Sequence, residues 1–254
     1  MTDELILLCI VAFAAGFVDA IAGGGGLIQL PMGIVLLPHL PVSTVIGTLK
    51  IPAFSGTAIA AYHYSRAVKV HYRQVAVMAL VAFIAAFSGS YLLSMVSNSF
   101  MKPFLLFVLI AVAIYTYSNK KFGAHTVKTH SSKELWWYVV LISLLIGFYD
   151  GFIGPGAGSF FMIAFISILG FDFLKASANA KFANLATNFG SICFFLLKGK
   201  IIFSIAIPMA ICNAIGGALG ARLAILKGNK FIRIFFLFIV TLTILRFAYD
   251  VFWK

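Results

Sequence analysis

Two lysines and two aspartates lie inside otherwise apolar stretches of this sequence, and they form matched pairs. Lys50 and Lys181 are 131 positions apart, as are Asp19 and Asp150. An ammonium group at membrane depth costs at least ~2.5 kcal/mol, so it normally faces a partner or a wet cavity. Each lysine follows a hydrogen-bonding neighbour: Thr48 precedes Lys50, Asn179 precedes Lys181, and Asn184 comes one turn later. Asn188 extends that polar face by another turn, with a period of about four residues. Ammonium groups beside carboxamides suit the oxygens of an anion. Snorkelling to the headgroups is the plain alternative, since neither lysine lies far from the start of its segment. Asp19 and Asp150 could neutralise the lysines in an empty site, carry a proton for coupling, or cap broken backbone. Asn213 reads as a helix–helix hydrogen bond, and His63 and Tyr64 read as interfacial.

The elements that must position these groups are interrupted by glycine. Gly16-Phe17-Val18-Asp19-Ala20-Ile21-Ala22-Gly23-Gly24-Gly25-Gly26 has a twin in Gly147-Phe148-Tyr149-Asp150-Gly151-Phe152-Ile153-Gly154-Pro155-Gly156-Ala157-Gly158. Each glycine in a helix interior costs roughly 1 kcal/mol relative to alanine, so these runs mark breaks. Apolar stubs follow at 27–38 and 159–170. Twelve helical residues rise only ~18 Å against a hydrocarbon core of ~30 Å, so neither stub spans alone. Each stub would present a helix N-terminus at the break, with free N–H donors and roughly +0.5 charge, which suits an anion. The candidate contacts are Gly23, Gly24, Gly25, Gly26, Gly154, Gly156, Gly158 and Ser159. Close helix packing alone is the competing explanation for the glycines.

Composition sets the solvent. The chain of 254 residues is 62% hydrophobic and 10% charged, and its mean hydropathy is +1.06. Soluble domains run near half apolar and a quarter charged. An all-α integral membrane protein is expected; the runs do not alternate as barrel strands do. The net charge of +12 sits mostly between apolar runs. Positive-inside bias and lipid contact account for it, so no nucleic-acid partner is expected. Cys9, Cys193 and Cys212 have no metal spacing, and neither a metal nor a cofactor is expected. The acidic start Met1-Thr2-Asp3-Glu4 lacks a basic n-region, so no cleaved signal peptide is expected. No P-loop is present, which argues against an ATP-driven pump.

The 131-residue offset continues through Gly89 and Gly220 to Lys102 and Arg233, so the chain is a duplication. The expected organisation is a first transmembrane repeat at 1–118, a cytoplasmic linker at 119–135 and a second repeat at 136–254. Spans are expected at 43–63, 74–97 and 103–118, then at 176–197, 201–224 and 231–249. If each long piece and stub form a re-entrant V, the repeats are inverted, and the loop lysines and arginines divide 12 against 4. With parallel repeats they divide 10 against 6. The inverted arrangement follows the positive-inside rule better and places both termini outside.

Gly16 to Leu27, Gly47-Thr48-Leu49-Lys50, Gly147 to Phe160 and Asn179-Ala180-Lys181 together resemble the TauE/SafE sulfite-exporter family, in its YfcA-like branch. The likeness covers essentially the whole chain. It implies a bacterial inner-membrane permease of two four-segment repeats, associated with sulfite, thiosulfate and organosulfonates. The chain departs from the pattern at Thr48, where the family's usual asparagine before lysine is met only at Asn179. The reading is a secondary transporter for a small anion, expected to carry sulfur, held between the two breaks. Lys50 and Lys181 would bind it, and Asn179 and Asn184 would orient its oxygens. One repeat would tilt against the other in alternating access, with Asp19 or Asp150 available for proton coupling. The partners are the anion, membrane lipid and, as an open arrangement, further copies of the chain. An anion channel is the alternative, and an intramembrane aspartyl enzyme using both aspartates is a remote one.

Overall fold

The computed structural model describes residues 2–97 and 132–252. The elements there are all helical: α1 (Thr2–Ala22), α2 (Gly25–Leu36), α3 (Val42–Ala67), α4 (Tyr72–Met95), α5 (Ser132–Phe152), α6 (Ala157–Ser167), α7 (Phe173–Leu197) and α8 (Phe203–Phe252). The expected span 103–118 and most of the linker 119–135 lie outside the described residues. Six helices are long and apolar enough to cross a membrane: α1, α3, α4, α5, α7 and the Phe203–Ile232 part of α8. The two expected segments at 201–224 and 231–249 form one run, interrupted where Gly228 adopts φ 69° and ψ −164°.

Local sequence explains the boundaries. α2 and α6 are 12 and 11 residues long, and each begins at a glycine break with no side-chain cap. α7 begins differently: the Asp172 carboxylate accepts from the Lys175 N–H at 2.9 Å, an ordinary N-cap. Pro41 precedes the first turn of α3, and Pro52 interrupts it just after Lys50. A proline there removes the N–H that would have bonded the Thr48 carbonyl.

The helices pack by exchange between the repeats. α1 lies along α8, and α4 lies along α5. The two contacts are copies of each other at the 131-residue offset. A Cβ at Gly220 would stand 2.4 Å from the Phe17 carbonyl oxygen, and one at Gly89 would stand 2.2 Å from that of Phe148. Absence of a side chain lets the backbones touch, which matters in lipid because no hydrophobic force drives helices together there. α3 also packs on α8, and α7 on α4. Two bundles result: α1, α2, α3 and α8 in one, and α4, α5, α6 and α7 in the other. They meet mainly along α3 and α7. The outward faces carry exposed Ile10, Val35, Leu80, Leu145, Leu197 and Ile211, suited to acyl chains.

Gly220→Val and Gly89→Val will each lower stability by about 1–3 kcal/mol, the usual cost of overpacking. The check is the thermal melting temperature of purified protein in detergent. An unchanged value in both would mean that the helices do not approach so closely.

Candidate functional site

The site is built on the two breaks, which touch. Gly23 has φ 76°, and its added Cβ would fall 2.3 Å from the Gly158 carbonyl carbon, so conformation and space both require glycine. The Gly23 carbonyl accepts from the Ser159 N–H at 3.0 Å, and the Ala22 carbonyl from the Ser159 hydroxyl at 2.9 Å. Gly156, at φ 79°, turns the chain into α6. The breaks are buried or half-buried within protein.

Side chains take the carbonyls left open at the ends of α1 and α5 and in the second break. Tyr64 donates to the Ala20 carbonyl at 3.1 Å, Ser90 to that of Gly151 at 3.0 Å, and Tyr149 to that of Pro155 at 2.6 Å. The two lysines complete the set. Lys50 Nζ lies 2.8 Å from Asp150 Oδ1 and 2.8 Å from the Asp150 carbonyl oxygen. Lys181 Nζ lies 2.9 Å from Asp19 Oδ2 and also donates to the Asp19 carbonyl. The pairs therefore cross: each repeat's lysine holds the other repeat's aspartate. Each also joins the two bundles, since α3 and α1 belong to one and α5 and α7 to the other. The side chains of Lys50 and Asp150 are 7% and 4% exposed, and those of Lys181 and Asp19 are 1% and 16%. Neither lysine snorkels.

A cavity of about 70 Å³ lies where the breaks and ion pairs meet. That is room for a small oxyanion or a few waters, since a water needs roughly 10–15 Å³ by this measure. Among the predicted residues, Gly23, Gly25, Gly26, Lys50, Gly154, Gly156, Gly158 and Asn184 line it, together with Asp19 and Asp150. Lys181, Asn179, Thr48, Gly24 and Ser159 are not part of its wall. Lys181 sits behind Asp19. Asn179 donates to the Lys175 carbonyl of its own helix at 2.8 Å. The Thr48 hydroxyl donates to the Thr44 carbonyl at 2.7 Å and accepts from the Ile202 N–H at 3.1 Å, joining α3 to the start of α8. Ser159 holds the two breaks together.

Four wall or near-wall groups were missed as site residues by sequence reasoning. Gln29 accepts from Asn213 at 2.9 Å and donates to the Leu49 carbonyl at 3.0 Å. Asn213 thus makes the expected helix–helix bond while also facing the cavity. Thr57 lines the cavity and lies 3.4 Å from Asp19 Oδ2. Thr187 donates to Asp150 Oδ2, so both oxygens of that carboxylate are engaged. Gln29 had a legible signal, a polar residue one turn into an apolar stub. Thr187 had only its place between Asn184 and Asn188. No group of three or more histidine, cysteine or acidic side chains suited to a metal comes together among the described residues.

Buried pairs are costly to break from one side, because the remaining charge is left uncompensated. Asp150→Ala will therefore lower stability by about 3–5 kcal/mol, and the double change Lys50→Met with Asp150→Leu will recover most of it. Melting temperatures of the three proteins check this. Equal loss in the single and double variants would show that the pairing itself is unimportant.

Comparison with known proteins identifies the family. The family described as Sulfite exporter TauE/SafE matches residues 8–247. A probable membrane transporter protein of Sinorhizobium sp is 37% identical over 229 residues, covering 90% of this chain and 86% of its own. One from Haemophilus influenzae is 34% identical over 251 residues, covering 99% and 97%. The probable membrane transporter protein YfcA of Escherichia coli K12 is 30% identical over 256 residues, covering 98% and 92%. No solved structure matches the chain. A match across almost the full length, on a chain with six membrane-length helices, makes this a multi-pass membrane protein of the TauE/SafE sulfite exporter family.

Proposed function

We propose that the protein is a secondary permease for a small anion, and that the anion occupies the cavity between the two glycine breaks. The observation that carries the reading is the meeting of two uncapped helix starts with two crossed ion pairs around one buried space. The Gly25 and Gly26 N–H groups at α2 and the Gly158 N–H at α6 have no backbone acceptor among the described residues. Such donors hold an anion without adding a full charge. The family's description and the relatives' names support transport, and sulfite is the first substrate to test.

Charge balance supplies a mechanism. With both lysines paired to aspartates, the empty site is neutral, so an arriving anion leaves one uncompensated negative charge. It competes with Asp150 for Lys50, and the displaced carboxylate takes a proton from water on the open side. The loaded site is neutral again, and the proton leaves with the anion on the far side. Asp19 and Lys181 repeat the scheme if a second charge must be carried. Because the ion pairs join the two bundles, loosening one by substrate also frees the bundles to tilt. The tilting bodies are then the exchanged bundles rather than the repeats themselves. We take the repeats to be inverted, with the termini outside and the linker in the cytoplasm of a bacterial inner membrane.

The crossed pairing speaks against the enzyme alternative, since each carboxylate is held by an ammonium rather than by the other carboxylate.

Counterflow in proteoliposomes tests the reading with labelled sulfite, thiosulfate and a taurine-like sulfonate. Wild type will show transient accumulation of at least one of them, as a carrier does. Lys50→Ala will lose it at least about tenfold, the expected effect of removing a charge-assisted contact. Lys181→Ala will lose it through collapse of the Asp19 pairing. Undiminished flux in both variants would remove the lysines from the mechanism, and flux without counterflow would favour a channel.

A further inference from the structure

The two sides of the cavity are related by the 131-residue offset but carry different side chains, and that difference bears on where a ligand would dock. At the 131-residue offset Ala53 matches Asn184, and Thr57 matches Asn188. All four line the cavity. On the first repeat's side, Ala53 offers no polar group and Thr57 faces Asp19 at 3.4 Å. Gln29 and Asn213, the latter on α8 of the same bundle, bond to each other at 2.9 Å. On the second repeat's side, Asn184 and Asn188 are 7% and 3% exposed. The Asn184 carbonyl oxygen takes only a 3.4 Å contact from Thr187, and its N–H groups have no acceptor among the described residues. Asn188 has no hydrogen-bond partner at all among them.

A carboxamide at such a place is nearly always met by protein, by ordered water or by something bound, and the cavity is what both asparagines face. Asn188 stands one turn beyond Asn184 on the same face of α7, so both aim at one space. Across that space stands Lys50, on α3 of the other bundle. Lys181, the symmetry mate of Lys50, is sealed behind Asp19 with 1% exposure.

We infer that Asn188 is a ligand-contacting residue of the proposed permease, and that the anion binds asymmetrically, its oxygens on the Asn184 and Asn188 amides and its charge on Lys50. This rests on the anion-permease reading. It assigns the second repeat's α7 as the recognition wall, and it makes the first repeat's Ala53 and Thr57 a plain surface that adds little affinity. A ligand so held bridges both bundles, because Lys50 and the asparagines sit on opposite ones.

Two measurements on full-length purified protein test it. The first needs no ligand: the melting temperature of Asn188→Leu in buffer free of sulfur oxyanions. A residue kept polar for a ligand will leave that temperature unchanged or raised, because the amide makes no hydrogen bond within the protein to lose. A residue kept for structure will lower it, and that result overturns the inference. The second is sulfite counterflow. Asn188→Ala will raise KM about tenfold or more with maximal rate within about twofold, as loss of a hydrogen bond to a charged group does. Asn188→Asp will raise it further by repulsion, while Ala53→Ser leaves it within about twofold. Unchanged KM in Asn188→Ala, with wild type active, overturns the inference and leaves the permease reading standing. If wild type carries none of the three anions, the permease reading fails, and the melting measurement still decides whether Asn188 serves a ligand.

Discussion

Hydrocarbon offers nothing to a backbone N–H or carbonyl, and that constraint governs this molecule. A helix interrupted partway through the apolar layer survives only if protein or enclosed water meets the groups it exposes. The chain interrupts itself twice, and the two interruptions are laid against each other. Ser159 supplies both its N–H and its hydroxyl to the first break, while Tyr64, Ser90, Tyr149 and the two lysines take further carbonyls. The donors that remain are those at the starts of α2 and α6, and they face a shared cavity. The proposed anion site is thus the unsatisfied remainder of a structural requirement.

The ion pairs extend the same logic to charge. A buried ammonium needs a counterion, and the lysines take theirs from the opposite repeat. Each lysine bonds to both the carboxylate and the carbonyl of one aspartate, at the negative end of a helix. The result is a space that is neutral when empty yet contains full charges that a ligand can rearrange. A fixed net positive site would bind an anion too firmly to release it. A paired site can exchange one anionic partner for another at small net cost, which suits a carrier.

The exchange of α4 and α8 between repeats determines what can move. Glycines at equivalent places, Gly89 and Gly220, press each broken helix against the partner repeat's helix. The close crossings at Gly89 and Gly220 lie inside the bundles, while the contact of Gly23 with Gly158 lies on the seam between them. The seam between them holds α3, α7, the ion pairs and the cavity. Under the proposed mechanism, contacts that change with ligand would coincide with the surface across which the bundles tilt, which is the arrangement coupling requires.

The sequence by itself determined the solvent, the breaks and the duplication. Those are properties of apolar length, of glycine's cost in a helix and of a repeat offset, all of which are local or periodic. It also made pairing of Lys50 and Lys181 with Asp19 and Asp150 one open reading, beside proton coupling and capping of broken backbone, because buried charges demand partners. Only the tertiary structure decided who partners whom. The crossing of the pairs, the retreat of Lys181 behind Asp19 and the use of Thr48 and Asn179 within their own surroundings depend on how α1, α3, α5 and α7 meet. A repeat offset relates equivalent positions but carries no term for contacts between them, so the partners of Gln29 and Thr187, and what Asn188 faces, became legible only once the helices were packed.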